Sequence, residues 1–217
     1  MRRLLIVAAG PFAREVLSWA LDVPASERDW EVAGFLDARS DMPASYRLPY
    51  PVLGDPATFD FRADDLAVCA IGDPRDKLKM CRQLEGRGTR FATLIHPSAV
   101  IGEETTIGAG SILCPGAVIT CNVKIGRHCT INVHSSIGHD AILGEGCTLS
   151  GHCDITGHVQ LGEGVFLGTH AAVTPKVKVG AYAVIGAGSV AMRDVPAGAT
   201  VLGIPARTIF QQRTTEQ

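Results

Sequence analysis

Residues 125–148 read IGRHCT INVHSS IGHDAI LGEGCT. Each block of six opens on Ile or Leu, and each has a small residue in fifth place: Cys129, Ser135, Ala141 and Cys147. An α-helix repeats its apolar face every 3.6 residues and a strand every two, so neither makes a period of six. The pattern continues on both sides. From 101 to 185 every sixth residue is Ile, Leu or Val, and Ile95 extends the series backwards. A parallel β-helix of hexapeptide repeats produces this spacing. Three hexads form the three sides of one coil, so the structural repeat is 18 residues and the array makes about five coils. Stacked coils lie one strand spacing apart, about 4.8 Å.

An 18-residue repeat sorts side chains into columns. His134, His152 and His170 fall in one column, and Asp140 and His158 in another. His139 belongs to a third, with Cys121, Gly157 and Pro175. One coil from His139 there is therefore no side chain, which leaves room for an extended ligand and bares a backbone N–H. His139 is also followed directly by a carboxylate, in SIGHDA (136–141). Neighbouring residues on a strand point to opposite faces, so a direct contact between His139 and Asp140 requires a turn at a coil corner.

The first 94 residues follow a different pattern. LLIVAA (4–9), WEVAGFLDA (30–38) and DLAVCAIGD (65–73) read as short buried strands. PFAREVLSWAL (11–21) has a proline suited to a first helical turn, and RDKLKMCRQLEGRG (75–88) is an amphipathic helix closed by glycine. Alternating strands and helices predict a small parallel α/β unit of Rossmann type. The expected domains are thus 1–94 and 95–217.

Composition narrows the functions. A formal net charge of -2 gives no case for binding nucleic acid or an acidic membrane. The apolar run near Met1 is too short for a signal peptide core or a membrane span. Seven cysteines, an odd number with no C-x-x-C pair, read as reduced thiols in a cytoplasmic protein. Three of them, Cys129, Cys147 and Cys153, occupy small inward positions of the hexads, and the cysteines are poor nucleophile candidates.

The hexads resemble those of the left-handed β-helix acyltransferases, and the left hand is taken from that resemblance. Three further segments narrow it: AIGD followed by Arg75, HPSA (96–99) opening the repeat and GIPAR (203–207) closing it. With the Rossmann-like N-terminal unit, they make the whole chain similar to the nucleotide-sugar N-acetyltransferases of the bacillosamine, perosamine and sialic-acid-linked group. The resemblance implies acetyl transfer from acetyl-CoA to the amine of a nucleotide-linked amino sugar destined for surface glycans or an antibiotic sugar. It implies a homotrimer with sites between subunits. His139 takes the role of general base, with Asp140 as the partner that orients the ring or raises its basicity. The Gly157 amide is the oxyanion donor. Acetyl-CoA is expected along Gly157, Thr169 and Ala187, with Arg207 near a CoA phosphate. The sugar nucleotide is expected on Gly10, Phe12, Asp37, Gly72 and Arg75, with Asn132 and His134 also toward the substrate. Asp37 would accept from a ribose or base group and Arg75 would face the phosphates.

The chain departs from the family at its first loop. Where the family carries Gly-Ala-Gly-Gly-His-Gly, this chain reads AAGPFA (8–13). It keeps Gly10 alone, and Pro11 removes an N–H donor. Acylation of a sugar hydroxyl, another acyl chain, a non-nucleotide acceptor and a non-catalytic scaffold all remain compatible with the hexads. A zinc hydratase of hexapeptide type is disfavoured: Gly144 stands where that family places a second histidine, and stacked parallel imidazoles converge poorly on a tetrahedral ion. No metal is expected.

Overall fold

A computed structural model describes residues 1–39 and 48–211 of the chain. The N-terminal unit is a four-stranded parallel sheet of β1 (Arg2–Val7), β2 (Trp30–Leu36), β3 (Leu66–Cys69) and β4 (Arg90–Phe91), in the order β2-β1-β3-β4. The chain reverses direction across the sheet at β1 and β3. In sheets of this kind a ligand crevice opens there, beyond the carboxyl ends of the strands. Helix α1 (Pro11–Asp22) starts on Pro11 and buries Ala13, Val16, Leu17 and Ala20 along one stripe. Helix α2 (Pro74–Glu85) is capped by Asp73, whose carboxylate accepts from the amides of Arg75 (2.8 Å) and Asp76 (3.1 Å). A cap of this kind contributes about 1 kcal/mol. Strands β1 to β3 and both helices lie where the sequence pattern placed them, and β4 is an additional edge strand.

After β4 the chain winds into a solenoid with three flat sheets, triangular in section. The first face carries five strands, from Thr106–Ile107 to Lys178–Val179. The second runs from Leu94–Ile95 to Val184–Ile185 and ends in an antiparallel hairpin, Ala199–Gly203 with Ala206–Gln211. The third holds six strands, from Val100–Ile101 to Val190–Ala191. Successive strands of a face pair in parallel with an 18-residue offset, for example Thr130 with Thr148. Hexad positions one and five fill the interior: Ile131, Ile137, Ser135 and Cys147 are fully buried. Each buried Ile or Leu contributes roughly 1.5–3 kcal/mol. The solenoid has about six coils rather than the expected five. The additional turn is shared between Leu94–Ile95 before the glycine-marked hexads and the interrupted stretch after Val190–Ala191.

The N-terminal unit covers the second face. Ile112, Thr130 and Thr148 point outward there yet are buried, whereas Val118 and Ile142 on the other faces are exposed. Helix α2 lies antiparallel to the coil order. Its N-terminal Arg75 sits over the ring of Tyr182, Arg82 meets Glu163 at 2.6 Å, and Glu85 near its end meets His128 at 2.8 Å. Asp22 at the end of α1 reaches His96. Among the described residues, no helix is long and apolar enough to cross a membrane.

Candidate active site

Each hexad turns a corner between its second and fifth residues, and the fourth residue takes a left-handed conformation. Glu104, Asn122, His128, His134, Asp140, His152, His158, His170, Lys176 and Tyr182 all have φ between 53° and 67°, and glycines fill the other fourth places. Outside glycine, this region is best tolerated by Asn, Asp and His. Five of the seven histidines thus have a backbone reason for their positions. His139 has none, since it occupies a third place.

The corner geometry joins His139 to its neighbour. Because Asp140 has φ 60°, its side chain swings back, and Oδ2 lies 2.7 Å from His139 Nδ1. The carboxylate is held further by Asn122, one coil away, whose Nδ2 donates to Oδ1 at 2.6 Å. His158 Nε2 lies 3.7 Å from Oδ2, on the other side. The hydrogen bonds from His139 and then Asn122 keep the Asp140 carboxyl below the usual carboxylate range. An ionised carboxylate only accepts, so it selects the tautomer with the proton on Nδ1 and leaves Nε2 as an acceptor. Nε2 is the ring atom that overlies Gly157: a Cβ built on Gly157 would stand 2.6 Å from it.

His139, Asp140 and His158 are the one group among the described residues able to offer three metal ligands within 4.8 Å of one another. The 2.7 Å contact engages two of those ligand atoms with each other.

The remaining expected residues fall in other places. The His134, His152 and His170 rings stack as their column implies, with centroids 5.2 and 4.9 Å apart. They sit on the corner between the second and third faces, with Asn132, Thr169 and Ala187. His139 and Gly157 sit on the corner between the third and first faces, the vertex opposite the face covered by the N-terminal unit. One chain therefore does not bring Thr169 and Ala187 to His139. Asn132 spends its Oδ1 on the amide of Val133 at 2.7 Å. Arg207 is exposed on the final hairpin, and its Nη1 bonds the neighbouring Ala206 carbonyl.

In the N-terminal unit, Gly10 and Gly72 line the two loops at the switch point, and a Cβ added at Gly72 would meet nothing within 4 Å. Three of the expected residues have partners within the chain. Phe12 is half-buried and packs edge-on to Trp19, 6.0 Å away, as part of the core. The Arg75 guanidinium, expected toward the phosphates, stacks over the Tyr182 ring at 4.3 Å. Asp37 is 7 % exposed, and its two oxygens already accept four N–H bonds, from Ala9, the Arg39 amide and the Arg39 guanidinium. The Arg39 guanidinium holds its carboxyl at about 2, well below the usual range. Asp37 thus fixes the loop and Arg39, and Arg39 Nη2 stands 3.7 Å from where a Gly10 Cβ would be.

A sequence profile described as the PglD N-terminal domain matches residues 3–84. Among solved structures, PerB from Caulobacter crescentus, in complex with CoA and GDP-perosamine, is 32% identical, with TM-score 0.84 over 94% of this chain and 96% of that one. The acetyltransferase domain of PglB from Neisseria gonorrhoeae FA1090 is 25% identical, with TM-score 0.87 over 96% and 100%. The chain belongs to the PglD-like sugar N-acetyltransferases of the left-handed β-helix fold. A curated relative, GDP-perosamine N-acetyltransferase of Escherichia coli O157:H7, is 31% identical over 71 residues, 33% of this chain and 32% of that protein. That match spans about a third of the relative's length. Among PglD-like chains, PglB has also been solved with acetyl coenzyme A.

Two polar residues at these sites escaped the sequence reading of this PglD-like chain, Asn122 and Arg39, whereas His158 was already in register with Asp140. Asn122 was open to discovery, because it lies 18 residues before Asp140. Arg39 follows the strand-ending Asp37 by two residues and carries no pattern of its own.

Proposed function

We propose that this chain is an acetyl-CoA-dependent N-acetyltransferase acting on the amine of a nucleotide-linked amino sugar. The observation that carries the reading is the His139–Asp140 pair over Gly157: a histidine with no structural duty, fixed in one tautomer, with Nε2 facing the space a side chain would fill. His139 Nε2 takes the proton from the attacking amine, directly or through water, as nitrogen bonds to the thioester carbonyl carbon. The carbonyl oxygen then carries the negative charge, and the Gly157 N–H, which serves no bond among the described residues, is the donor for it. Collapse of this adduct expels the CoA thiolate. Transfer is direct: six of the seven free cysteines are buried, and only Cys121 is exposed.

The acceptor's nucleotide occupies the crevice at Gly10 and Gly72, with the Arg39 guanidinium supplying charge where the loop lacks glycines. That crevice lies over the second face, and His139 lies on the opposite vertex. Sugar and base meet when chains associate, with the crevice and the Thr169–Ala187 corner of one copy near His139 of the next. A homotrimer satisfies this, and the CoA chain then runs between Gly157 on one copy and the small residues Thr169 and Ala187 on its neighbour. Arg207 takes a CoA phosphate. The free thiols fit a cytoplasmic location. PerB was solved with GDP-perosamine and the curated relative is a GDP-perosamine N-acetyltransferase, so a GDP-linked amino sugar is the first acceptor to test.

The test uses the full chain. Thermal shift compares GDP-, UDP- and dTDP-linked amino sugars, since a ligand of the native state raises the melting temperature by mass action. The preferred sugar is then incubated with acetyl-CoA and the product weighed by mass spectrometry. An N-acetylated sugar nucleotide, lost in His139→Ala, is expected. Turnover undiminished in His139→Ala, or a monomer in light scattering at micromolar concentration, refutes the reading.

A further inference from the structure

A solenoid repeats, so a helix docked on one of its faces meets nearly the same surface every 18 residues. Something must choose the coil. Helix α2 rests on the solenoid through Lys77, Leu78, Arg82 and Glu85. Lys77 is 1 % exposed and charged in type, which is rare without a purpose. Its Nζ donates to Thr148 Oγ1 at 2.8 Å, Thr130 Oγ1 at 3.1 Å and the Cys147 carbonyl at 3.3 Å. Three acceptors match the three N–H donors of the ammonium form. The neutral amine keeps two of them and accepts a hydroxyl proton in the third place. In either state the amine is satisfied only between two threonines on successive coils.

The outward column of that face reads Ile112, Thr130, Thr148, Phe166, Val184. It contains one adjacent pair of hydroxyls. A slip of one coil, about 4.8 Å, sets Lys77 between Ile112 and Thr130 or between Thr148 and Phe166. Either move strands a buried amine short of an acceptor, and that is heavily penalised. Two other features act with Lys77: residues 92–93 join β4 directly to the first strand of the second face, and Leu94, Ile112 and Cys114 share one buried cluster with the N-terminal core. Leu78 fits against Gly146, where a Cβ would stand 2.4 Å from it, whereas one coil on the space over Gly164 is filled by the Tyr182 ring, 2.5 Å from where a Cβ would be. Arg82 and Glu85 pair at the rim, where ion pairs contribute little.

We propose that Lys77 is a register key: it fixes the coil on which the N-terminal domain docks, and so positions the acceptor crevice in height against the corner that carries His139. A single polar group buried in a repetitive interface sets the register of coiled coils by the same physics. The catalytic consequence rests on the function proposed above; the docking consequence does not. Lys77 acts through the placement of the domain and is a positioning residue.

The experiment measures distance and rate. One spin label goes on the exposed Cys121 and one on a cysteine replacing the exposed Glu31, with labelled chains diluted into unlabelled ones. The otherwise unmutated chain should give one distance. Lys77→Met, which keeps the volume and removes the donor, should add a population shifted by about 4.8 Å. It should also lower kcat/KM for the amino-sugar nucleotide by at least about tenfold, because an error of 1 Å already costs on the order of a hundredfold. KM for acetyl-CoA should stay within about twofold, since the solenoid corners do not move. Phe166→Thr builds a second threonine pair at Thr148 and position 166, and should show the shifted population with Lys77 intact. It decides the matter alone if Lys77→Met does not fold. A single unshifted distance in every variant that folds overturns the proposal, whatever the rates do. A parent chain inactive on all amino sugars would refute the proposed function and leave the register result standing.

Discussion

Gly157→Ala is the sharpest test of the catalytic geometry. A Cβ there would lie 2.6 Å from His139 Nε2, 2.7 Å from Cε1 and 3.2 Å from Cδ2. Ordinary contact begins near 3.4 Å, so the ring must retreat by about 0.8 Å. The bond from Nδ1 to Asp140 is 2.7 Å, and a retreat of that size takes it past the hydrogen-bonding range. Base and orienting partner are thus both disturbed, and kcat/KM should fall about a hundredfold. The fold should survive. Gly157 stands in a third hexad place, where Glu103, Arg127 and Thr169 are accommodated elsewhere, and its φ lies outside the left-handed region. Stiffening the unfolded chain even stabilises by about 0.4–1 kcal/mol, which offsets part of the crowding. Thiol release from acetyl-CoA, followed with a thiol-reactive dye, gives the rate; a thermal melt gives the stability. In a His139→Ala background the same substitution should cost nothing further, because the two act through one contact. A Gly157→Ala enzyme within about threefold of the parent, with its melting temperature unchanged, would show that His139 does not work from this position.

Further predictions concern the partners and the pH. Asp140→Asn keeps the shape but admits the tautomer with the proton on Nε2, so kcat should drop by about a hundredfold while KM for acetyl-CoA holds; an Asn variant at full rate would remove Asp140 from the mechanism. Arg39→Met should raise KM for the sugar nucleotide roughly tenfold, the worth of a charge-assisted hydrogen bond, with acetyl-CoA unaffected in the same assay. His128 lies against Phe91 and Glu85, and burial, only partly offset by its bond to Glu85, holds its imidazole below the ordinary value. Its Nδ1 is buried without a partner. As pH falls below about 6.5 the unfolded chain takes up a proton that the folded chain refuses, so stability is full above that pH and declines beneath it. Urea midpoints at pH 8 and 5.5 should differ less in His128→Asn than in the parent. An equal difference would assign the pH response to other groups.

The solenoid was legible because its period belongs to no other structure, and the columns were legible because the period is strict. The stacked rings of His134, His152 and His170 and the placing of Gly157 beneath His139 both follow from counting by 18. What the count conceals is direction around the prism. Columns show which residues stack, but not which corner they crown or which face another domain covers. Thr169 and Ala187 share a column, but only the fold shows that this column crowns a different vertex from His139, so that one chain does not bring them together. Similarly, Asp37 and Arg75 matched a family pattern in sequence, yet one is saturated by Arg39 and the other lies on Tyr182. Those choices depend on which side chain reaches a partner first, and no local pattern encodes that. The coil count fell short for a related reason: the end coils lack the glycines that mark the hexads.

One signal in the sequence separates ornament from function more cleanly than the columns do. The fourth place of every hexad must take a left-handed turn, so it selects Gly, Asn, Asp and His, and five histidines gather there for reasons of backbone alone. His139 stands one place earlier, where the backbone makes no such demand, and the turn residue beside it is the carboxylate. The turn that Asp140 supplies for the fold is what brings its side chain back onto the imidazole. The same logic applies to Lys77. In a fold whose neighbours are nearly interchangeable, the proposed roles attach to positions that break the repeat: a histidine outside the turn place, the glycine one coil from it, one pair of threonines in an apolar column. Substituting the repeat's own residues should cost stability by amounts that differ little from coil to coil, whereas substituting these exceptions should cost placement and rate.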